Sequence, residues 1–243
     1  MRRAHGGGID VVATWWQRPP KGLPGAWHRV DVRDAAAVAR VAADVDAVVH
    51  TAYRQGGDDE WSTNVDGSTA VAAAAAGRRL VHLSSDLVFD GRRGRYTERD
   101  DPSPLNAYGR SKAEAERRVL GLHPAATIAR TSLIYGGAEP GTQERLAREG
   151  TRFFVDEIRS PVQVGDLADA VLELLTLDCA GPLHLGGADA LSRYDFALLL
   201  GADARRIEPA HTPPDRAADV SLDSSRAVGL LVTALRGANS VLG

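Results

Sequence analysis

The chain has 243 residues, 44% of them apolar, a formal charge of -3 and one cysteine, Cys179, and no apolar run approaches the roughly 18 residues a membrane span needs. That composition gives no span, no basic footprint for nucleic acid and no intramolecular disulfide, and it leaves ample apolar residues for one sizeable core. One domain, or one domain with a small appendage, in the reducing cytoplasm is the expectation, with Cys179 a half-buried thiol.

In chain order, Met1-Arg2-Arg3-Ala4-His5 runs into Gly6-Gly7-Gly8 instead of a signal-peptide core. Continuous apolar, β-branched runs over 9–13, 47–50, 79–84 and 126–131 predict buried parallel strands, and 28–32 predicts a short edge strand that contains Asp31. Between them, 35–43, 64–76 and 106–120 have helical composition, with Asp34 and Ser103 as starting caps and the run 70–76 as a tightly packing face. This alternation predicts right-handed βαβ units and a doubly wound α/β sheet. After Leu133 the rhythm breaks at Gly136-Gly137, Pro140-Gly141 and Gly186-Gly187, and helices over 163–175, 193–200 and 223–231 stand between loops. The division expected is a core over 1–134 and, over 135–243, a small irregular cap with segments returning to the core.

Ligands of such sheets bind beyond the carboxyl ends of the strands. One strand there delivers Ser84-Ser85-Asp86, and about 20 residues on comes a helix with Tyr108 and Lys112 on one face, four residues apart. Lys112 is one of only two lysines in an arginine-rich chain, and a compact ammonium can do beside a phenol what a broad guanidinium cannot. Together these residues suit reduction of a carbonyl. Tyr108 is the general acid, Lys112 the cation that lowers its pKa, and Ser85 the hydroxyl that positions the carbonyl oxygen while a nicotinamide supplies hydride. Each has a plainer reading as well. Tyr108 and Lys112 also read as a solvated helical pair, Ser85 equally as a turn cap, and Asp86 somewhat more readily as a turn cap than as a ligand of a substrate hydroxyl.

Several segments go further than this pattern. The run Ser84-Ser85-Asp86-Leu87-Val88-Phe89-Asp90-Gly91 and the spaced set Tyr96, Glu98, Pro102, Pro104-Leu105-Asn106, Tyr108-Gly109 and Ser111-Lys112 resemble the extended short-chain dehydrogenase/reductases, in particular the dTDP-4-dehydrorhamnose reductase branch. Ala52-Tyr53, Asn64-Val65, the run Arg130-Thr131-Ser132-Leu133-Ile134-Tyr135, Arg159-Ser160-Pro161-Val162 and the late Arg216, Asp219, Leu222, Asp223 and Arg226 are similar to further segments of that branch. The resemblance implies a Rossmann-like fold, NADP(H) or NAD(H) as cofactor, and reduction of a 4-keto nucleotide sugar. It assigns catalysis to Ser85, Tyr108 and Lys112, and the cofactor to Arg18, Asp31, Val32, Thr51, Ala52, Tyr53, Tyr108 and Lys112. The substrate falls to Ser85, Asp86, Ser132 and Leu133, and no metal ligand is assigned. A non-catalytic homologue like the regulatory subunit of methionine adenosyltransferase, or a nucleotide-sugar epimerase or dehydratase, shares the same motifs.

The sequence departs from the branch in two places. Leu133 stands where these reductases have Trp, which removes an aromatic wall from the sugar pocket. Gly6-Gly7-Gly8 precedes the first recognisable strand, so it cannot be a strand-turn-helix phosphate loop, and the first βα unit, about 20 to 25 residues, is expected to be absent. Either the start is internal to a longer reading frame or the chain is a degenerate homologue; the intact Ser85, Tyr108 and Lys112 favour the first. Arg18 is then a 2′-phosphate partner or an exposed loop arginine, and an open central strand edge would favour a homodimer.

Overall fold

The structure is a computed structural model that describes residues 2–19, 22–23, 25–150 and 152–243. A short helix α1 (Arg2–Gly6) leads to strands β1 (Val12–Trp15) and β2 (Ala26–Arg29), helix α2 (Ala35–Ala42) and strand β3 (Ala47–His50). A π-turn over Ser62–Asp66 runs into α3 (Gly67–Ala74), followed by β4 (Arg79–Ser85), the long helix α4 (Ala107–Leu122) and β5 (Thr127–Thr131). Smaller elements then alternate: β6 (Ile134–Tyr135), α5 (Thr142–Glu149), β7 (Arg152–Phe154), β8 (Ile158–Arg159), β9 (Val162–Gln163) and α6 (Val164–Leu174). The chain closes with β10 (Gly181–His184), β11 (Leu191–Ser192), α7 (Arg193–Leu199), β12 (Glu208–Ala210), α8 (Ser225–Leu230) and α9 (Ala238–Leu242).

The main sheet is parallel, in the order β10-β5-β4-β3. Every residue of β5 is buried, as the continuous apolarity of a strand covered on both faces requires. One face carries Val30, Val38, Val71, Leu80, Val119 and Ile128 under α2, α3 and α4. The other carries Val81, Ala129, Leu167, Val171, Leu174 and Leu183 under α6, joined by Ala227 of α8. Cys179 is fully buried in this second layer, deeper than the half-buried thiol expected. Two clusters, one around Leu133, Tyr135, Phe196 and Ala238 and one around Ala147, Phe153, Ala197 and Ile207, build the region after β5, while α6 and β10 return to the main sheet.

The sheet is doubly wound, but in two pieces. Strands β1 and β2 form a separate parallel ladder, with Val12 opposite Ala26, and are not hydrogen-bonded to β3. Among the described residues β1 and β3 therefore each keep one unpaired edge, although Val30 after β2 and Val48 of β3 pack into the same cluster. Both early strands are displaced from their expected positions. Gly8 has a φ of 74° and the Ile9 amide bonds back to the Ala4 carbonyl at 3.0 Å, which ends α1 and delays β1 by three residues. Strand β2 stops at Arg29, so Asp31 and Val32 lie beyond it. The helix caps follow their chemistry in α2, where the Asp34 carboxylate accepts from the Ala37 amide at 3.0 Å. In α4 the cap is Asn106 instead of Ser103: the Asn106 side chain accepts from the Gly109 amide at 2.7 Å, whereas the Ser103 amide is spent on the Val88 carbonyl.

Candidate active site

Strand β4 ends at Ser85 and turns at once through Asp86–Val88, with the Ser85 hydroxyl accepting from the Leu87 amide at 3.2 Å. Helix α4 starts against that turn. Gly109 lies so close to it that a Cβ would strike the Leu87 carbonyl, and this approach brings Tyr108 beside Ser85. The Tyr108 ring is half-buried and meets the exposed Tyr53 edge-on, with centroids 6.1 Å apart. Burial, then the neighbouring Tyr53 and Asp86, pushes its pKa up, while the Ser85 hydroxyl and Arg159 pull the other way; the phenol holds its proton at neutral pH.

Lys112 points down from the same helix into the protein. It is 2% exposed and donates to the Leu83 carbonyl at 2.7 Å, and burial pushes its pKa down to about 8 against the opposing pull of Glu116. With the ammonium turned to the Leu83 carbonyl, the lowering of the phenol pKa expected of Lys112 does not outweigh the effect of burial on Tyr108. Below it lie the buried His50 and His82, ring centroids 5.1 Å apart, both held neutral mainly by burial and further by the Lys112 charge. The helix itself is tied down by a buried ion pair, Glu116 with Arg130 of β5 at 2.7 Å.

Asp86 is engaged elsewhere. It is fully buried and takes two bonds from Arg159, at 2.7 and 2.5 Å, and one from the Ser132 hydroxyl at 2.6 Å, with Ser85 donating to it at 3.2 Å. Asp86 is therefore an internal anchor in place of the expected acceptor for a substrate hydroxyl, because its acceptor positions are filled. Ser132 is likewise held, between Asp86 and the Ser160 amide at 3.1 Å. Leu133, expected on the sugar wall, turns instead into the cluster of Tyr135, Phe196 and Ala238, where an aliphatic side chain is covered.

The residues expected around a dinucleotide fall into two groups. Thr51, Ala52 and Tyr53 follow β3 on the edge where β4 delivers Ser85. Arg18 and Asp31 follow β1 and β2 on the separate ladder, Arg18 being exposed. The Asp31 carboxylate is clamped by Arg33, at 2.5 to 3.0 Å, which holds its pKa below the usual carboxylate value despite its partial burial. Val32 packs against Gly67 at the start of α3 and so supports the fold. Tyr108, Lys112 and Ser85 fit the acid, cation and hydroxyl that a nicotinamide end requires. For the pyrophosphate end, β1 runs on to β2 with no helix between them among the described residues, so no glycine turn opens a helix after the first strand, and Gly6-Gly7-Gly8 lies between α1 and β1.

Sequence reasoning missed some of the site. Asn64, read only as a helix opener, is fully buried and bonds the Arg54 carbonyl and the Ser111 hydroxyl, each at 2.8 Å, lacing the segment after β3 to α4. Glu157 was not singled out. It is buried and receives Arg216 at 2.5 Å and Arg159 at 3.5 Å. The alternation Glu157-Ile158-Arg159, which sets opposite charges on one face of a short strand, was the available signal.

The model of a family described as "RmlD substrate binding domain" matches residues 1–228. The chain is 33% identical to the dTDP-4-dehydrorhamnose reductase of Mycolicibacterium smegmatis over 233 residues, covering 85% of this chain and 71% of that one. Its fold is similar to that of a hypothetical dTDP-4-dehydrorhamnose reductase from Sulfolobus tokodaii, with a TM-score of 0.81 and 26% identity across 96% of this chain and 90% of that one. The dTDP-4-dehydrorhamnose reductase of Bacillus anthracis, solved with NADP, has the same fold at a TM-score of 0.79 and 24% identity, over 95% of this chain and 96% of that one.

Proposed function

Because this chain belongs to the family of the RmlD substrate binding domain, we propose that it reduces the 4-keto group of a nucleotide-linked sugar, with NADP(H) or NAD(H) as redox partner. The observation that carries the reading is the close seating of α4 on the turn after β4, which sets a half-buried, protonated Tyr108 beside Ser85. When bound, a reduced nicotinamide supplies the hydride. The Ser85 hydroxyl, held by Asp86 only through a 3.2 Å bond, can turn its proton to a carbonyl oxygen and fix that oxygen in place. Tyr108 delivers the proton that the oxygen takes up as it becomes an alkoxide. Lys112, cationic below about pH 8, offsets the negative charge left on the phenol; to reach it, the ammonium leaves the Leu83 carbonyl. Lone and unbridged, Cys179 supports the cytoplasm as the compartment.

The test is turnover of a dTDP-4-keto-6-deoxy sugar with NADPH, read as loss of the reduced-nicotinamide absorbance. Tyr108→Phe is expected to lower kcat by about a hundredfold or more, the span of a general acid. Equal rates in the two proteins would refute the assignment. A second reading, a non-catalytic binding subunit, is favoured by the lack of a glycine turn at the pyrophosphate end among the described residues. Saturable NADPH binding without oxidation in the presence of the keto sugar would select it.

A further inference from the structure

Strand β11 runs antiparallel to β8, with Leu191 opposite Arg159 and Ser192 opposite Ile158. One step on, the Arg193 amide donates to the Glu157 carbonyl at 2.9 Å. Opposed residues of an antiparallel pair share a face, so Arg193 stands over Glu157 and beside Arg159. Both carboxylates of this cluster are already taken. Asp86 is held by Arg159, Ser132 and Ser85, and Glu157 by Arg159 and Arg216. Three guanidinium groups thus share two carboxylates. The Arg193 side chain, half-buried, makes no hydrogen bond or ion pair among the described residues.

We propose that Arg193 is the receptor for an anionic group of the substrate, a phosphate of the nucleotide-linked sugar. A half-buried cation whose neighbouring carboxylates are engaged by other arginines is costly, and a planar guanidinium matches a phosphate in paired, charge-assisted hydrogen bonds. The environment agrees: burial pushes the Arg193 pKa down to about 10, opposed first by the charge of Glu157, while Arg159 and Arg216 add to the lowering, so the group remains cationic at neutral pH and its carboxylate neighbours only partly offset it. Asp86 adjoins Ser85 in the chain and lies within reach of the Arg193 charge. An anion on Arg193 and a carbonyl at Ser85 would both stand near Asp86, a placement that suits two groups of one molecule. The choice of phosphate rests on the reductase reading; the excess positive charge does not.

The experiment is calorimetric binding of dTDP, with glucuronate as the carboxylate arm, to the full chain and to Arg193→Met and Arg193→Lys, all checked for an unchanged thermal midpoint. Arg205→Ala, an exposed arginine paired with Asp203, controls for general charge loss. Arg193→Met is expected to weaken dTDP about tenfold or more, as loss of a charge-assisted contact implies, with Arg193→Lys recovering part of the affinity and Arg205→Ala unchanged. The dependence of dTDP affinity on salt should also become shallower in Arg193→Met. dTDP affinity within twofold of the wild type in Arg193→Met, or a dependence on Arg193 seen for glucuronate alone, overturns the proposal. NADPH oxidation read on the same samples separates the two readings. Arg193-dependent dTDP binding without turnover keeps this site and removes the reductase; turnover with Arg193-independent dTDP binding does the reverse.

Discussion

Lys112 is a side chain whose state depends on its surroundings. Burial makes it release its proton at about pH 8 in the fold, against 10.5 unfolded. Turnover that needs the ammonium should therefore fall as pH rises through about 8, measured as kcat/KM across a pH series, and a profile flat to pH 10 would contradict this. The same difference has an opposite sign for stability. The unfolded chain holds this proton more tightly, so the Lys112 contribution makes the fold more stable as pH rises from about 8 towards 10.5. Asp86 gives a second residue-scale prediction. Asp86→Ala leaves the buried Arg159 facing only Glu157, and denaturant unfolding should show a loss of about 3 kcal/mol or more. Ser85, Tyr108 and Lys112 were legible in the sequence because two short, nearby segments carry them. The engagement of Asp86 was not, because Arg159 lies 73 residues further along the chain.

At the scale of elements, α4 is held at three levels: the Asn106 cap, the contact of Gly109 with the turn after β4, and the Glu116–Arg130 pair. Gly109→Ala should force the helix off that turn and separate Tyr108 from Ser85. Its kcat should fall at least about tenfold while the far end, pinned by Glu116, keeps most of the stability; an active variant that is merely less stable would show that the contact serves only packing. Helix content here followed from composition, and three of the strands were found within a residue or two. The first two were not, since a glycine in the left-handed region and an early turn at Asp31 shifted them, and both are backbone events that apolarity does not report. The cap of α4 was misplaced because Ser103 and Asn106 are both good caps by type, and composition does not say which of them accepts from the first turn.

Over the whole molecule, the sheet divides between β1 and β3. Amide hydrogen exchange should register this, with β1 and β3 exchanging faster than β4 and β5, which are paired on both sides. Uniform protection across all four would mean that a partner covers those edges. Strand-helix alternation revealed the fold class, yet the division was legible only as a missing glycine turn, because local periodicity says nothing about which strands touch. Its mechanical consequence concerns the two groups of residues assigned to the dinucleotide. Arg18 and Asp31 ride on one ladder, Thr51, Ala52 and Tyr53 on the other, and side chains couple them without a shared backbone ladder: Val30 with Val48, Val32 against Gly67, and Arg33 with Asp59 at 3.8 Å. The distance between the two halves of the binding surface is thus set by a compliant joint, and a ligand long enough to hold both would serve as the strut that fixes their spacing.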